Sequence, residues 1–553
     1  MKTKMHKPQT TSIEKKVDAV VVGAGFSGLY MIYKLRKMGL SVIGFEAGDD
    51  VGGTWYWNRY PGARCDADSV EYSYSFSEDL QQEWNWTERF ATQPEILKYI
   101  NHVADRFDLR KEFQFNTRVT STHFNEDRNQ WKTVTDKSQR ITSKYCIMAT
   151  GCLSTWSIPK FKGLENFKGE TYHTGNWPHD GVDFSGKKVG IIGTGSSGIQ
   201  SIPVIAKEAK ELLVFQRTPN FTVPAKNAQL TEAYKKEVKE TYAEIRDKAR
   251  KSAAGGSTVN FSPTPMNEYL EDERTSKMQD VWDLGGAQFL GVFGDVLTSQ
   301  ETNDVLVQFV HEKIKQTVID PETAKLLTPK DYPLGTKRIC VDTDYWETFN
   351  RDNVTLIDVK AAPIEEVTST GLKTNSESYD FDILVFATGF DAMTGALSKI
   401  DIQGPNGSLK EKWTAGPRMY LGLMATGFPN LFTITGPGSP SVLSNMMTSI
   451  EQHVEWIADC ITHMEEDNFE KIEPQQQAED AWVHHVNDVA HQTLYVKGNS
   501  WYLGANIPGK PRVFMPYVGG VGNYRIKCDE VAANGYEGFE LSRNMSLTKN
   551  KAV

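Results

Sequence analysis

Val17-Asp18-Ala19-Val20-Val21-Val22-Gly23-Ala24-Gly25-Phe26-Ser27-Gly28 decides the fold. Residues 17–22 are a short, β-branched apolar run ending in glycine, the pattern of a buried parallel strand. Gly23, Gly25 and Gly28 follow in a G-x-G-x-x-G spacing, with a helix expected over 27–37 and a second strand over 41–46. Strand, glycine loop, helix and strand in that order make a dinucleotide-binding unit. Gly23 permits the tight turn, Gly25 lets a pyrophosphate approach the backbone, and Gly28 allows close helix–strand packing. Glu46 closes the second strand. A carboxylate there accepts from ribose hydroxyls and repels a 2′-phosphate, which selects FAD or NAD over NADP.

The same grammar recurs further on. A strand over 188–192 leads into Gly193-Thr194-Gly195-Ser196-Ser197-Gly198, then a helix from about Ser197 and a strand over 212–217. This second unit ends in Phe215-Gln216-Arg217-Thr218, with Arg217 where the first unit has its acid. A guanidinium pairs bidentately with a 2′-phosphate, so this copy is expected to bind NADP(H) through Thr194, Gly195, Ser196, Ser197, Gly198, Arg217 and Thr218. A flavin and NADPH on one chain imply hydride transfer between them.

Two strands end alike, 145–148 in Ala149-Thr150-Gly151 and 381–386 in Ala387-Thr388-Gly389. Both read as crossings between domains. The fold class expected is therefore α/β, with two Rossmann-like domains, the second inserted in the first. Leu230, Tyr234, Val238, Tyr242 and Ile245, and again Val305, Leu306, Phe309, Val310 and Ile314, recur at helical spacing. They suggest a helical insertion on the second nucleotide domain. The expected boundaries are 17–152 and 389–541 for the first domain, 153–224 and 331–388 for the second, and 225–330 for the helices. Disordered tails are expected over 1–16 and 542–553.

A chain of 553 residues has room for three to four domains and a large core. Net charge is −10, with no basic block beyond the N-terminal segment, which argues against nucleic acid as a partner. No apolar run reaches the ~20 residues of a membrane span, and residues 1–16 lack the apolar core of a secretory signal. The six cysteines form no C-x-x-C pair. That fits a cytoplasmic protein and counts against a metal site or a redox dithiol. A monomer or weak homo-oligomer is expected.

Between the two glycine loops, Phe167-Lys168-Gly169-Glu170-Thr171-Tyr172-His173-Thr174-Gly175-Asn176-Trp177-Pro178 reads F-x-G-x-x-x-H-x-x-x-W-P. A second long pattern is Gly52-Gly53-Thr54-Trp55-Tyr56-Trp57-Asn58-Arg59-Tyr60-Pro61-Gly62-Ala63-Arg64-Cys65-Asp66. With Gly335-Thr336-Lys337-Arg338 and the stretches 436–445 and 501–512, the chain resembles the type I Baeyer–Villiger monooxygenases, a branch of the class B flavoprotein monooxygenases. The resemblance covers nearly all of the chain outside the tails.

The resemblance implies that NADPH reduces bound FAD, and that the reduced flavin takes up O2 as a C4a-peroxyflavin. This attacks a ketone to give an ester or lactone, with sulfides as side substrates. Arg338 takes the catalytic arginine position, where arginine suits an anion because it delivers no proton at neutral pH. Asp66 would orient it. Phe26, Thr54, Trp55, Tyr56, Asp66, Tyr72, Val119 and Met446 match flavin-side positions. Arg64 matches a cofactor-binding position, and Lys337 and Trp501 match positions on the nicotinamide side, Trp501 on a long loop that could fold over that cofactor. Loops around Cys152, Ser441–Leu443 and Met446 would shape the ketone pocket. His173 lies between the domains and reads as structural or coupling rather than acid–base.

Three other readings compete. A flavin-containing monooxygenase oxygenating nitrogen or sulfur shares both loops, but its fingerprint normally ends in Tyr or Phe rather than Trp177-Pro178. A pyridine-nucleotide:disulfide reductase needs the missing dithiol. An idle nucleotide-binding protein would have no use for Asp66, Lys337, Arg338 and Trp501 together.

Overall fold

β1 (Lys15–Val22), β2 (Val42–Phe45), β3 (Phe113–Gln114) and β6 (Arg140–Met148) pair in parallel in the order β3-β2-β1-β6. These observations come from a computed structural model that describes residues 15–258 and 261–543. The first half of β6 pairs antiparallel with β5 (Gln130–Thr135), which continues to β4 (Val119–Asn125). The second half of β6 pairs in parallel with β19 (Leu431–Thr433). β17 (Asp401–Gly404) and β18 (Gly407–Ser408) extend the sheet beyond β4 to nine strands. α1 (Phe26–Lys37) connects β1 to β2.

The second sheet is wholly parallel. Its order is β12 (Val354–Asp358), β9 (Glu211–Gln216), β8 (Lys188–Ile192), β16 (Ile383–Phe386) and β7 (Glu170–His173). α3 (Ser196–Glu208) joins β8 to β9; α2 (Thr54–Trp57) belongs to the first unit. β10 (Thr222–Pro224) pairs with β11 (Cys340–Asp342). A small antiparallel sheet, β13 (Ile364–Val367), β14 (Gly371–Thr374) and β15 (Ser378–Asp380), precedes β16. The chain leaves the first sheet after β6 and returns to it at β17, so the second Rossmann unit is inserted in the first.

Each Ala-Thr-Gly crossing packs under a glycine loop. A Cβ on Gly23 (φ +109°) would lie 2.5 Å from the Ala149 carbonyl oxygen, and one on Gly193 (φ +109°) 2.4 Å from that of Ala387. The two loops are thus the same structure built twice.

Several sequence expectations need correction. β1 begins at Lys15, inside the segment expected to be a tail, because backbone pairing of Lys15 with Ile141 requires no apolar side chain. Ser542 likewise ends β21 (Phe539–Ser542), paired with β20 (Lys471–Pro474). Residues 1–14 and 544–553, the rest of the expected tails, lie outside the described residues. Phe381 precedes its expected strand, which starts at Ile383.

The helical insertion is divided between the two units. α5 (Glu271–Leu284) and α6 (Gln300–Thr317) bury Met278, Trp282, Leu306, Val310 and Ile314 in the core of the second sheet. α4 (Glu232–Lys251) instead buries Val238 and Tyr242 in the core of the first. Its Arg246, 7% exposed, donates to the carbonyls of Val70 (3.1 Å) and Glu71 (3.1 Å), to Ser73 Oγ (2.8 Å) and to Gln81 Oε1 (3.0 Å). Leu230 precedes the N-cap Thr231, and Tyr234 is exposed. An amphipathic stripe shows that a helix face is buried; it does not name the surface that buries it.

Candidate active site

The first glycine loop is built for close backbone approach. A Cβ on Gly28 would sit 1.8 Å from the Gly23 carbonyl oxygen, and one on Gly53 2.9 Å from the Gly25 Cα. Glu46 is buried beside the loop, one oxygen accepting from the Ala24 N–H (2.8 Å) and the other from the Gly48 N–H (2.8 Å). A carboxylate has about four acceptor positions, so capacity for ribose hydroxyls remains. Trp55 Nε1 donates to the Tyr72 hydroxyl (3.2 Å), and Tyr72 meets Phe26 edge-on at 5.7 Å. The Tyr56 hydroxyl donates to Asp49 (2.7 Å), fixing the turn after β2. Phe26 and Thr54 adjoin Gly25 and Gly53 in the chain, and the Trp55–Tyr72–Phe26 contacts stand beside them, a cradle a flavin nucleotide fits; Tyr56 lies off it, against Gly48. Val119 does not join them: its side chain is buried in the core with Val17, Val20 and Trp131, and only its main chain could face a ligand.

The second loop leaves open space in front of Gly195, where a Cβ would meet nothing nearer than Asn220 Nδ2 at 4.0 Å. Thr194 Oγ1 donates to the Thr218 carbonyl (3.2 Å), closing the loop onto the end of β9. Ser197 Oγ shares a hydrogen bond with Thr174 Oγ1 (3.1 Å), and Ser196 Oγ with Cys340 Sγ (3.3 Å). Arg217 is exposed, and no carboxylate among the described residues pairs with it. Burial and the charge of Arg217 push Lys337 down to about 8, and its ammonium sits 4.2 Å from the centre of the Tyr332 ring. Two cations repelling each other at the end of β9 are what a bound phosphate would relieve. The residues present thus fit a 2′-phosphorylated dinucleotide.

Arg338 joins the two units. Its Nε donates to Asp66 Oδ2 (2.9 Å), Nη2 to Asp66 Oδ1 (2.8 Å) and Nη1 to the Val442 carbonyl (3.0 Å). The side chains are half-buried, 36% exposed for Arg338 and 26% for Asp66. Burial alone would raise the Asp66 carboxyl; the charge and hydrogen bonds of Arg338 outweigh it and hold it below the ordinary carboxylate range. Asp66 in turn keeps Arg338 protonated. This fork-to-fork pair spans 272 residues of sequence.

An apolar cluster that includes Cys152, Val442, Tyr502, Phe514 and Met515, with Leu443, Met446 and Trp501 packed against it, meets the guanidinium through Val442 and Tyr502. Trp501 starts a one-turn 3-10 helix, Trp501–Leu503, rather than lying in a plain loop as its glycines and prolines suggest. Tyr502 is buried against Arg338. Burial pushes its phenol up to about 12, against the opposing pull of that guanidinium. Sequence reasoning missed Tyr502, for which the Trp501-Tyr502 doublet was the available signal. It also missed Glu71, whose buried carboxylate accepts from the Ser257 N–H (2.6 Å) and hydroxyl (2.6 Å) one residue before Tyr72. Met446 begins α7 (Met446–Glu466), capped by Asn445, and packs between this cluster and the first-sheet core. Arg64 stands apart, paired with Glu88 at 3.2 Å.

The Trp-Pro fingerprint lies in the seam between the units. The Trp177 N–H donates to the Trp57 carbonyl (3.3 Å), and the Thr174 N–H to that of Phe386 (3.0 Å). His173 Nδ1 accepts from the Gly175 N–H (2.9 Å), while Nε2 lies 3.3 Å from Thr388 Oγ1 at the second crossing. Burial pushes His173 down to about 4, so it is neutral at physiological pH and its contacts are structural. All six cysteines are buried and free. No group of metal-ligating side chains occurs among the described residues, and no described helix is long and apolar enough to cross a membrane.

The flavin-binding monooxygenase-like family matches residues 14–229. A Baeyer–Villiger monooxygenase of Pseudooceanicola batsensis is 45% identical, over 95% of this chain and 96% of that protein. A cyclohexanone 1,2-monooxygenase of Acinetobacter sp is 41% identical, over 97% and 98%. The phenazine N-monooxygenase PhzNO1 of Lysobacter antibioticus is 40% identical, over 96% and 98%. Among solved structures, an oxidized steroid monooxygenase bound to NADP is 50% identical with a TM-score of 0.92, covering 96% of this chain and 100% of that one. An OTEMO complex with FAD and NADP is 41% identical with a TM-score of 0.93, over the same shares. With two glycine cradles, an arginine–carboxylate pair across their seam and full-length relatives of this kind, the chain belongs to the Baeyer–Villiger monooxygenases.

Proposed function

We propose that this protein oxidises ketones to esters or lactones with NADPH and O2, using FAD, and oxidises sulfides as a side activity. The observation that carries the reading is the bidentate Asp66–Arg338 pair, set where the two nucleotide units meet. FAD, when bound, supplies hydride acceptance from NADPH and activation of O2. The chain's residues do the rest. The glycine loops seat the pyrophosphates at the starts of α1 and α3. Arg217 and Lys337 hold the 2′-phosphate. Arg338 offers a fixed positive charge that releases no proton, and so favours anionic oxygen beside the ketone. Asp66 fixes the plane of the guanidinium and balances its charge until that anion forms. Val442, Tyr502 and Trp501 keep water away from the reacting atoms.

The test is direct. Purified protein should be yellow and oxidise NADPH slowly alone; a ketone should accelerate this and appear as a product with one added oxygen. Turnover that depends on a thiol or quinone acceptor and ignores ketones would overturn the proposal. The resemblance to a phenazine N-monooxygenase supports N-oxygenation as a second reading. A phenazine converted to its N-oxide faster than any ketone is oxidised would favour it.

A further inference from the structure

Asp66 and Arg338 come from different units, and α3, the helix behind the second glycine loop, touches the segments that carry both. On the Arg338 side, Ser196 Oγ meets Cys340 Sγ (3.3 Å), two residues past Arg338. On the Asp66 side, Gln200 lies one turn into α3. Its Oε1 accepts from the Tyr60 hydroxyl (2.8 Å) and, at longer range, from the Arg64 N–H (3.5 Å). Its Nε2 donates to the Arg64 carbonyl (3.2 Å). The side-chain amide thus engages both main-chain groups of Arg64, two residues before Asp66. The loop also rests directly on the helix: a Cβ on Gly62 (φ +79°) would fall 2.3 Å from the Gln200 carbonyl oxygen.

We propose that Gln200 is a positioning residue that ties the 60–66 loop to the dinucleotide-seating helix α3, so that the placement of Asp66 against Arg338 follows the NADP unit. The role rests on the function proposed above. A dinucleotide seated at the start of α3 braces that helix, and Gln200 passes the constraint to Asp66 through Tyr60 and Arg64. With the side-chain tie cut, the Gly62 contact still rests the loop on α3, but nothing fixes the Arg64 main chain to the helix and the guanidinium is held less firmly. Hydride delivery needs only the cradles and is spared. Oxygen transfer needs the oriented Arg338 and suffers. A misplacement of about 1 Å costs up to about a hundredfold in rate.

The test uses the FAD-loaded enzyme with Gln200→Leu, the near-isosteric Tyr60→Phe, and both together. Three quantities are measured: the change in flavin absorption spectrum on adding NADP+, anaerobic flavin bleaching by NADPH, and ester formed per NADPH oxidised. The expected result for Gln200→Leu is a diminished spectral change, bleaching within about twofold of wild type, and an ester ratio lowered about threefold to tenfold, with hydrogen peroxide making up the difference. Tyr60→Phe should show a smaller effect of the same kind, and the double variant should be no worse than Gln200→Leu, because both cut one tie. An unchanged ester ratio in Gln200→Leu overturns the proposal. So does a fall in bleaching and FAD retention that matches the fall in ester, since that is the signature of a merely structural residue. A wild-type enzyme that yields no ester from any ketone, yet whose NADP+-induced spectral change diminishes in Gln200→Leu, would overturn the Baeyer–Villiger reading and leave the tie standing.

Discussion

Replacing Arg338 with alanine removes two hydrogen bonds to Asp66, one to the Val442 carbonyl, and the only charge paired with Asp66 among the described residues. An anionic oxygen about 4 Å from a guanidinium gains about 4 kcal/mol at an effective dielectric of about 20. At 36% side-chain exposure, solvent screening reduces that figure, to about 2–3 kcal/mol. Each 1.36 kcal/mol is tenfold, so ester formation should fall about 30- to 200-fold. Flavin bleaching by NADPH should stay within a few-fold of wild type, because Arg338 belongs to neither glycine loop. The assay is product ester or lactone per NADPH, beside anaerobic stopped-flow bleaching. An Arg338→Ala enzyme that makes ester at the wild-type rate would refute the reasoning. Equal losses in bleaching and in ester would instead assign Arg338 to hydride delivery.

The same variant carries a stability signature. In the wild type the Asp66 carboxyl is held low, so its contribution is present above the unfolded pKa and lost as pH falls through the folded one. Without Arg338 burial, the largest influence, is opposed only by a backbone hydrogen bond, and the folded pKa rises above the unfolded value. The contribution is then present at low pH and lost as pH climbs. The stability gap between wild type and Arg338→Ala should therefore widen between about pH 4 and about pH 7, reaching about 1–2 kcal/mol for a half-exposed pair. A gap that stays flat or narrows in urea titrations over that range contradicts the assigned electrostatics.

Lys337, pushed down to about 8, should lose its charge as pH rises, so NADP+ affinity should weaken above that pH; Arg217→Ala should move the break upward by removing the repulsion. A calorimetric Kd that is independent of pH would contradict this. Gly28→Ala should yield colourless protein, because the added methyl would lie 1.8 Å from the Gly23 carbonyl oxygen; normal flavin content after purification would count against the cradle. Arg246→Met should destabilise the fold by about 2–4 kcal/mol by stranding the buried carbonyls of Val70 and Glu71, as read from urea unfolding. A change below about 0.5 kcal/mol would show that α4 does not depend on that contact.

The sequence by itself determined the two Rossmann units and the Ala-Thr-Gly crossings. Each of these is a local matter, in which strand period, glycine spacing and the residue at the end of the second strand lie within about 30 residues of one another. It also pointed to Arg338 and Asp66, but only by resemblance, since nothing local separates them from other charged residues. Tertiary structure alone decided that Asp66 grips Arg338 across 272 residues, that Tyr502 lies beside the guanidinium, and that Gln200 reaches over to Arg64. It decided, too, that α4 packs on the first unit while α5 and α6 pack on the second. The physical reason is common to all of these. A stripe of apolar residues or a single polar side chain states that it must be satisfied, and only the packing of distant segments supplies the partner.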